Sequence, residues 1–331
     1  MSSPADAVDA LLEMGIVPSF SRVGALVRRR TAQWADLGDI DLRGRTIVIT
    51  GPTSGIGAAA ARRLAAMGSD LVLLARNRER AERLAAELRR GAEGSVHVVL
   101  ADMAEPDQVT RAAQEISGLV EVIDVLVHNA GALSATRQEN SRGQEATVAA
   151  QVYGPFLLTG LLLDHLRRGA PGRVLTMSSG GMYTQPLTVS GLEMGPEDYS
   201  GSIAYARAKR AQVALSEMWA QRVPADEVVV HSLHPGWADT PGVQDSLPRF
   251  RAVLGPALRT PDEGADTLVW LASDDGEPTR GSGRFWHDRR PRRTHVLPST
   301  RRSDTPERRN ALWELCLQRS GLDAAVGDPT T

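Results

Sequence analysis

The sequence predicts an α/β fold, a doubly wound parallel sheet of about seven strands in the order 3-2-1-4-5-6-7 with helices on both faces. Three observations carry this prediction. The run Thr46–Thr50 is β-branched throughout, which is typical of a strand buried on both faces. Similar short apolar runs alternate with longer amphipathic segments along most of the chain. A glycine-rich turn at residues 51–57 joins the first run to the first helical segment.

The composition bounds the class of protein. The chain has 331 residues, 42% of them hydrophobic and 24% charged, and a net charge of −2. A net charge this small gives the protein no overall electrostatic attraction for nucleic acid or an anionic membrane. Cys316 is the only cysteine, so no internal disulfide forms and a reducing compartment is expected. No apolar run is long enough to span a bilayer. We therefore expect a cytoplasmic protein with no nucleic-acid partner and no transmembrane span.

The predicted elements follow in chain order. Residues 1–44 form a helical extension, with helices over 5–14 and 21–37, that packs on its own domain. Residues 45–300 form the sheet domain. Its strands are predicted at 46–50, 70–75, 95–101, 122–127, 173–177, 228–233 and 283–287. Its helices are predicted at 58–67, 78–90, 106–117, 144–166, 203–221 and 262–272.

The C-terminal part has a different composition. Five residues, 289–293, include four arginines and are predicted as a solvated face rather than a nucleic-acid site, because no aromatic residues are interleaved with them. In the tail, 301–331, Thr305 and Pro306 have the residue types of a helix start, and Gly321 has that of a helix end. This last helix is expected to dock on the domain.

Lys209 is the single lysine among 38 lysine and arginine residues. Arginine replaces lysine at little cost on a solvated surface, but not where a compact ammonium is required. Tyr205 lies four residues earlier, so the two side chains share one face of the predicted helix. The pair is therefore a candidate functional site. The arginine bias itself is typical of a GC-rich genome and suggests a bacterial protein of secondary or lipid metabolism.

The glycine-rich turn predicts a dinucleotide site. Glycines let the backbone approach a pyrophosphate, and the following helix presents unpaired N–H groups. The turn residues predicted to contact it are Gly51, Thr53, Ser54, Gly55, Ile56 and Gly57. The second strand ends in Arg76 and Asn77, where NAD-binding proteins place a carboxylate. An arginine there favours the extra phosphate, so NADP(H) is predicted over NAD(H).

Further motifs follow along the chain, namely Asp102-Met103, Asn129-Ala130-Gly131, Ser178-Ser179, Tyr205-x3-Lys209 and Pro235-Gly236. With the glycine turn, this ordered set closely resembles the short-chain dehydrogenase/reductase family, whose Rossmann-type domain would cover about residues 40–300. Residues 234–242 and 282–289 are similar to the subgroup called dehydrogenase/reductase member twelve.

The resemblance implies a role for each motif. Asp102 and Met103 would flank the adenine, and Asn129, Ala130 and Gly131 would pass beneath the cofactor. Pro235, Gly236, Trp237 and Thr240 would contact its nicotinamide half. Ser179 would bind the substrate oxygen, and Tyr205 would be the general acid/base. Lys209 would bind the nicotinamide ribose and lower the pKa of Tyr205.

Two features depart from the family pattern. Gln151 stands where such families often have an asparagine that anchors a proton-relay water, so the relay stays open at this point. Residues 183–201 lengthen the connection between Ser179 and Tyr205, and we expect this insertion to form a lip over the substrate. Met182, Tyr183 and Trp237 are predicted to contact the substrate.

The sequence thus predicts an NADP(H)-dependent oxidoreductase that interconverts a carbonyl and an alcohol on an apolar small molecule. Two alternatives stay open, namely a non-redox enzyme of the same fold (a dehydratase, isomerase or cyclase) and a sensor that binds NADP(H) without turnover. No metal is predicted, because His231 and His234 lack further ligands at suitable spacing. A homodimer would pair through the helices at 144–166 and 203–221.

Overall fold

One eight-stranded sheet organises the protein in a computed structural model that describes residues 4–169, 171–246, 251–252 and 254–323. Residues 1–3 of the predicted extension and 324–331 of the predicted tail lie outside the described residues. The strands are β1 Thr46–Thr50, β2 Asp70–Ala75, β3 Val96–Leu100, β4 Val125–His128, β5 Gly172–Met177, β6 Val228–Leu233, β7 Phe285–His287 and β8 Arg290–Arg292. Their order is β3-β2-β1-β4-β5-β6-β7-β8, so the predicted doubly wound parallel sheet is confirmed for β1 to β7.

The helices bracket the sheet. They are α1 Pro4–Glu13, α2 Ile16–Phe20, α3 Arg22–Thr31, α4 Gly55–Ala66, α5 Arg78–Leu88, α6 Pro106–Leu119, α7 Ala146–Val148, α8 Gly154–Leu161, α9 Leu163–Arg168, α10 Gly201–Arg222, α11 Pro241–Ser246, α12 Pro261–Ser273, α13 Pro298–Ser303 and α14 Pro306–Ser320. A π-helical segment, Ala149–Tyr153, joins α7 to α8. Within the described chain no helix is both long and apolar enough to cross a membrane.

Strand β1 shows why both faces of the sheet are apolar. Ile47 and Ile49 face the hydrophobic layer that includes α4 and α12, whereas Val48 faces the layer that includes α6, α8 and α10. All three side chains are fully buried. Successive strand residues point to opposite faces, so only a continuously apolar strand fills both layers.

The eighth strand was not predicted. Asp288 and Arg289, both with positive φ (53° and 55°), form a two-residue turn that reverses the chain, and β8 pairs antiparallel with β7. Such turns usually carry Asn-Gly or Asp-Gly. Here Asp288 accepts from two buried arginines, and Arg289 pairs with Asp266, so ion pairs hold the turn. The expectation of a solvated arginine face was therefore wrong for Arg292, whose side chain is 8% exposed.

Two predicted helices are shorter or less regular than expected. The segment 144–166 is divided into α7, the π-helical segment, α8 and α9 rather than one long helix. The predicted helix at 21–37 ends as α3 at Thr31, and Gln33 adopts a positive φ of 46° shortly after it. Apolar periodicity does not report such local changes in backbone geometry.

A buried ion cluster ties the N-terminal helices to the sheet. Arg28 of α3 is 2% exposed and pairs with Asp9 of α1 at 2.7 Å and with Asp288 at 2.7 Å. Arg259 reaches the same Asp288 at 2.6 Å, and Arg292 of β8 reaches Asp9 at 2.6 Å. Removing one partner from such a cluster would leave a buried charge without compensation. The N-terminal helices are therefore fixed to the domain at a defined position.

The C-terminal helix covers the face on which pairing was expected. In α14, Trp313 packs edge-on against Phe156 of α8 and Trp219 of α10, with ring centroids 4.8 and 4.9 Å apart. Thr305 caps its start and Gly321 ends it with a φ of 75°, as the sequence predicts. A homodimer built on α8 and α10 would have to use whatever surface α14 leaves uncovered.

Candidate active site

The predicted site residues come together because each group follows the carboxyl end of a parallel strand, all at one edge of the sheet. The groups are residues 51–57 after β1, Arg76 and Asn77 after β2, Asp102 and Met103 after β3, Asn129 to Gly131 after β4, Ser179 after β5, and Pro235 to Thr240 after β6. The switch in strand order falls at β1, between β2 and β4. In open α/β sheets, ligands bind at this point.

Asn129 stabilises the glycine turn from below. Its Nδ2 donates to the carbonyls of Thr50 (3.2 Å) and Gly51 (2.9 Å). Gly51 has a φ of 64°, which favours glycine. A Cβ on Gly57 would lie 2.4 Å from both Asn129 Nδ2 and the Gly51 carbonyl oxygen. The turn therefore has no space for a side chain at Gly57.

The first turn of α4 fits an anionic group. Ser54 precedes the helix but makes no side-chain cap within the described chain, so the first N–H groups of α4 stay available. A Cβ on Gly55 would meet Thr240 at 3.1 Å, so the turn after β1 and the loop after β6 face each other closely. Gly236 of that loop has a φ of 76° and lies against Arg259. This cradle fits the pyrophosphate of a dinucleotide.

Of the residues expected to surround the adenine half of the cofactor, one has an exposed side chain and two have side chains that contact other parts of the protein. Arg76 is exposed, directly after β2 and next to the glycine turn, since Gly51 N donates to the Leu74 carbonyl. Asn77 caps α5 by accepting from Arg80 N, and Met103 is 5% exposed in the core. The side chains of Asn77 and Met103 are therefore engaged by the protein itself.

Ser179 lies against the start of α10, since a Cβ on Gly181 would be 3.8 Å from Ser179 Oγ and 3.7 Å from Ala206, the neighbour of Tyr205. Ser179 Oγ accepts from Gly181 N at 3.3 Å, which orients the hydroxyl at the start of a short 3-10 turn. Burial raises the pKa of Tyr205, and the nearby Ser179 hydroxyl lowers it by a smaller amount. Both side chains remain partly exposed, so a substrate oxygen could reach them.

Lys209 is 2% exposed beneath Tyr205. Its Nζ donates to the Met177 carbonyl at 2.8 Å and to Gln212 Oε1 at 3.0 Å, and lies 5.2 Å from the centroid of the Tyr205 ring. Burial lowers the pKa of Lys209 to about 7. In this structure burial raises the pKa of Tyr205 on balance, so the expected lowering by Lys209 stays a prediction.

Gln151 lies in the π-helical segment next to Lys209. Its Nε2 donates to the Ala132 carbonyl at 2.9 Å, while its buried Oε1 has no hydrogen-bond partner among the described residues. A Cβ on Gly131 would lie 3.0 Å from that Oε1 and 3.3 Å from Lys209 Nζ, so both polar atoms border one small space. That space has the polar partners that an ordered water needs.

Gln212 is a site residue that the sequence prediction missed. It accepts from Lys209 Nζ, and its Nε2 donates to the Gln151 carbonyl at 2.6 Å. It is 4% exposed and so bridges the ammonium to the π-helical segment. The sequence could have predicted this contact, since a glutamine three residues after Lys209 lies on the same buried face of the helix.

The predicted substrate contacts need correction. Met182 is fully buried against Val213 and Phe285, so its expected role as a substrate contact was wrong. Tyr183, four residues after Ser179, and Trp237 are both partly exposed. The 3-10 turn explains the difference, because it points successive side chains in different directions, one into the core and the next outwards.

The insertion at 183–201 packs down on the domain. Leu187 and Leu192 are each 1% exposed in the hydrophobic core, and Leu187 N donates to Ser303 Oγ of α13. Arg207 Nη1 binds the Gly191 carbonyl at 2.6 Å. This part of the insertion is therefore anchored to the domain, and its expected role as a lip over the substrate stays a prediction.

Comparison with known proteins identifies the protein family of this chain. A family model described as short chain dehydrogenase matches residues 45–249. The human protein named dehydrogenase/reductase SDR family member 12 is 36% identical over 281 residues, which cover 85% of this chain and 87% of that protein. Human retinol dehydrogenase 14 is 32% identical over 267 residues, which cover 75% of this chain and 79% of that protein. This chain belongs to the short-chain dehydrogenase/reductase family.

A solved structure shares the fold. The Pseudomonas aeruginosa RhlG/NADP active-site complex superposes with a TM-score of 0.61 at 25% identity and covers 74% of this chain and 94% of that one. Family membership supports a short-chain oxidoreductase that acts on a CH–OH or C=O group of a small molecule with a nicotinamide cofactor.

The packing of Gly57 makes a testable prediction. We expect Gly57→Ala to destabilise the protein by about 2 kcal/mol, because its Cβ would overlap Asn129 and the Gly51 carbonyl. Binding of the nicotinamide cofactor should weaken as well, since the turn must shift. Urea unfolding and a fluorescence titration of NADPH measure the two effects.

Gly118 supplies the matched control. It lies in α6 with no heavy atom within 4 Å of an added Cβ, so Gly118→Ala should leave binding unchanged and gain up to about 1 kcal/mol of stability. Equal stability of the two variants would contradict the described packing of the turn.

Proposed function

We propose that this protein is an NADP(H)-dependent oxidoreductase that interconverts a ketone or aldehyde with an alcohol on an apolar small molecule. The observation that carries the proposal is the convergence of Ser179 and Tyr205 above a buried Lys209 at the sheet edge that holds the glycine turn. The family includes relatives named retinol dehydrogenases, which supports an apolar substrate.

Tyr205 exchanges a proton with the substrate oxygen. A phenol near its ordinary pKa of about 10 is a poor acid/base at neutral pH, and lowering it by three units needs about 4 kcal/mol. A charged Lys209 beneath the ring can contribute part of this. When bound, the nicotinamide supplies or accepts the hydride and adds positive charge in its oxidised form. Ser179 donates a hydrogen bond to the oxygen on which negative charge develops.

Gln151 anchors the water that returns protons to this site. Its unpartnered Oε1 and the Lys209 ammonium border the same space beside Gly131, so a water there would bond to both. Gln212 holds Lys209 and the Gln151 carbonyl in place from the opposite side. The longer glutamine stem thus compensates for the missing asparagine.

NADP(H) is the cofactor that the residues after β2 favour. Arg76 is exposed where a 2′-phosphate would lie, and neither it nor Asn77 is a carboxylate that would select NAD(H). The solved relative described as an NADP complex supports this preference. We extend the proposal to a bacterial protein of secondary metabolism, because its preference for arginine over lysine is typical of a GC-rich genome.

The proposed chemistry predicts the behaviour of two variants. Tyr205→Phe removes the acid and should lower kcat about a thousandfold. Lys209→Arg keeps the charge but cannot fit a guanidinium into the buried space, and should lower kcat at least about tenfold. NADPH absorbance and product mass, measured with a panel of apolar ketones, report turnover, and reduction adds two hydrogens.

Tyr199→Phe is the matched control, because this tyrosine contacts Thr147 and Glu145 rather than Ser179 and should keep wild-type turnover. Near-full activity of Lys209→Arg would refute the reason given for the single lysine. Product without NADPH consumption would identify a non-redox enzyme, and tight NADPH binding without any product would identify a sensor.

Cofactor choice is tested at Arg76. Arg76→Glu should weaken NADPH binding about a hundredfold and NADH binding far less, because a carboxylate repels the phosphate and accepts from ribose hydroxyls. Titration of each cofactor gives both dissociation constants. Arg90→Glu makes the same charge change at an exposed position after α5 and should leave the ratio unchanged. An unaltered ratio in Arg76→Glu would argue against NADP(H) selection by this residue.

The relay is tested at Gln151. Gln151→Leu removes the water acceptor at similar bulk and should lower kcat about tenfold or more and shift its pH profile. Gln151→Asn retains an amide and should recover part of the loss. Activity assays between pH 6 and pH 10 and thermal unfolding separate catalysis from stability. Wild-type kcat in Gln151→Leu would exclude a relay through this side chain.

A further inference from the structure

Phe20, at the end of α2, lies beside the residue that follows the proposed catalytic serine. An added Cβ on Gly180 would be 2.9 Å from Phe20 Cε2 and 3.2 Å from His234 Nε2. Gly180 is adjacent to Ser179 in the chain. A side chain from outside the sheet domain therefore reaches the immediate surroundings of the site.

The ring of Phe20 spans the two loops that border the site. It stacks toward Tyr183 of the loop after β5, with centroids 6.4 Å apart and planes 17° apart. It meets Trp237 of the loop after β6 edge-on at 5.9 Å. Its carbonyl accepts from Trp237 N at 2.8 Å, so the backbone is also fixed. The three rings form one continuous wall, which we name the aromatic wall (Phe20, Tyr183, Trp237).

The aromatic wall is accessible to a ligand. Each of its three side chains is partly exposed. Aromatic residues that only fill the core behave differently, since Phe285 and Trp286 are 2% and 0% exposed. Aromatic surface left open beside a pair of polar reacting groups is a common form of substrate pocket.

The ion cluster of the N-terminal helices holds the wall in place. The Ser19 carbonyl, one residue before Phe20, accepts from Arg28 Nη1 at 2.8 Å and from Arg259 Nη2 at 3.2 Å. Both arginines bind Asp288 at the turn between β7 and β8. Phe20 is thus positioned by the sheet domain itself rather than by a loosely attached helix.

The chemistry of the wall indicates what it binds. It presents ring faces and edges, and the Tyr183 hydroxyl is already engaged, donating to the Arg293 carbonyl at 2.9 Å. Aromatic rings favour flat apolar groups in stacked or edge-to-face contact. We propose that the N-terminal helices complete the substrate pocket and that the aromatic wall selects a flat aromatic or conjugated carbonyl compound. This inference rests on the proposed reductase function and specifies its substrate class.

The first experiment measures specificity. Acetylnaphthalene and butanone are compared as substrates with NADPH. Phe20→Ala should lower the ratio of kcat/KM for acetylnaphthalene over butanone about tenfold, and Phe20→Leu should also lower it despite its retained bulk. Val17→Ala is the matched control, an apolar residue of α2 with 50% exposure, and should keep the wild-type ratio. An unchanged ratio in both Phe20 variants would overturn the inference.

The second experiment does not require turnover. Acetyl-dimethylaminonaphthalene, a fluorescent aryl ketone, shifts to the blue when it enters an apolar pocket, and its titration gives a dissociation constant. Wild type and Val17→Ala should bind it equally, and Phe20→Leu should bind about tenfold more weakly. If no ketone is reduced but this pattern holds, the reductase proposal fails while the aromatic wall stands. Failure of wild type to bind the probe, or equal binding by Phe20→Leu, would refute the wall.

Discussion

The burial of one ammonium is the constraint around which the site is assembled. Lys209 can remain in the interior only with acceptors in reach, and it finds them in the Met177 carbonyl at the end of β5 and in Gln212 of α10. Gln212 continues the contact to the Gln151 carbonyl, where the π-helical segment interrupts the predicted long helix. A π-helical turn commonly marks a functional position, since it displaces a backbone group from its regular bond. The strand, helix and irregular segment thus share one polar connection.

A second buried charge, Asp288, connects several elements at the turn between β7 and β8. Burial alone would raise the pKa of Asp288, but His287 and two arginines hold the pKa of that carboxyl well below its usual range. The cluster stabilises a turn without glycine and an edge strand rich in arginine, and it fixes the N-terminal helices. Its consequence is the placement of Phe20 beside the site, which connects a structural ion cluster to substrate selection.

Sequence patterns were sufficient where the signal is local. The bounds of β1, β2 and β6 follow from continuous apolar runs, and the start and end of α14 follow from Thr305 and Gly321. Sequence patterns were insufficient where residues distant in the chain determine the local structure. The strand Arg290–Arg292 exists because aspartates far along the chain neutralise its arginines. Met182 and Tyr183 are neighbours with opposite environments, which only the direction of the 3-10 turn sets.

The sequence by itself determined the family, the order of the strands and the candidate residues Ser179, Tyr205 and Lys209, because short motifs at strand ends are local and a sheet edge collects them. Only the tertiary structure decided what surrounds them. The contact of Gln212 with the Gln151 carbonyl and the position of Phe20 beside Gly180 arise from packing between elements distant in the chain. Such contacts depend on burial, charge compensation and chain direction in three dimensions. Residue spacing alone predicts none of these.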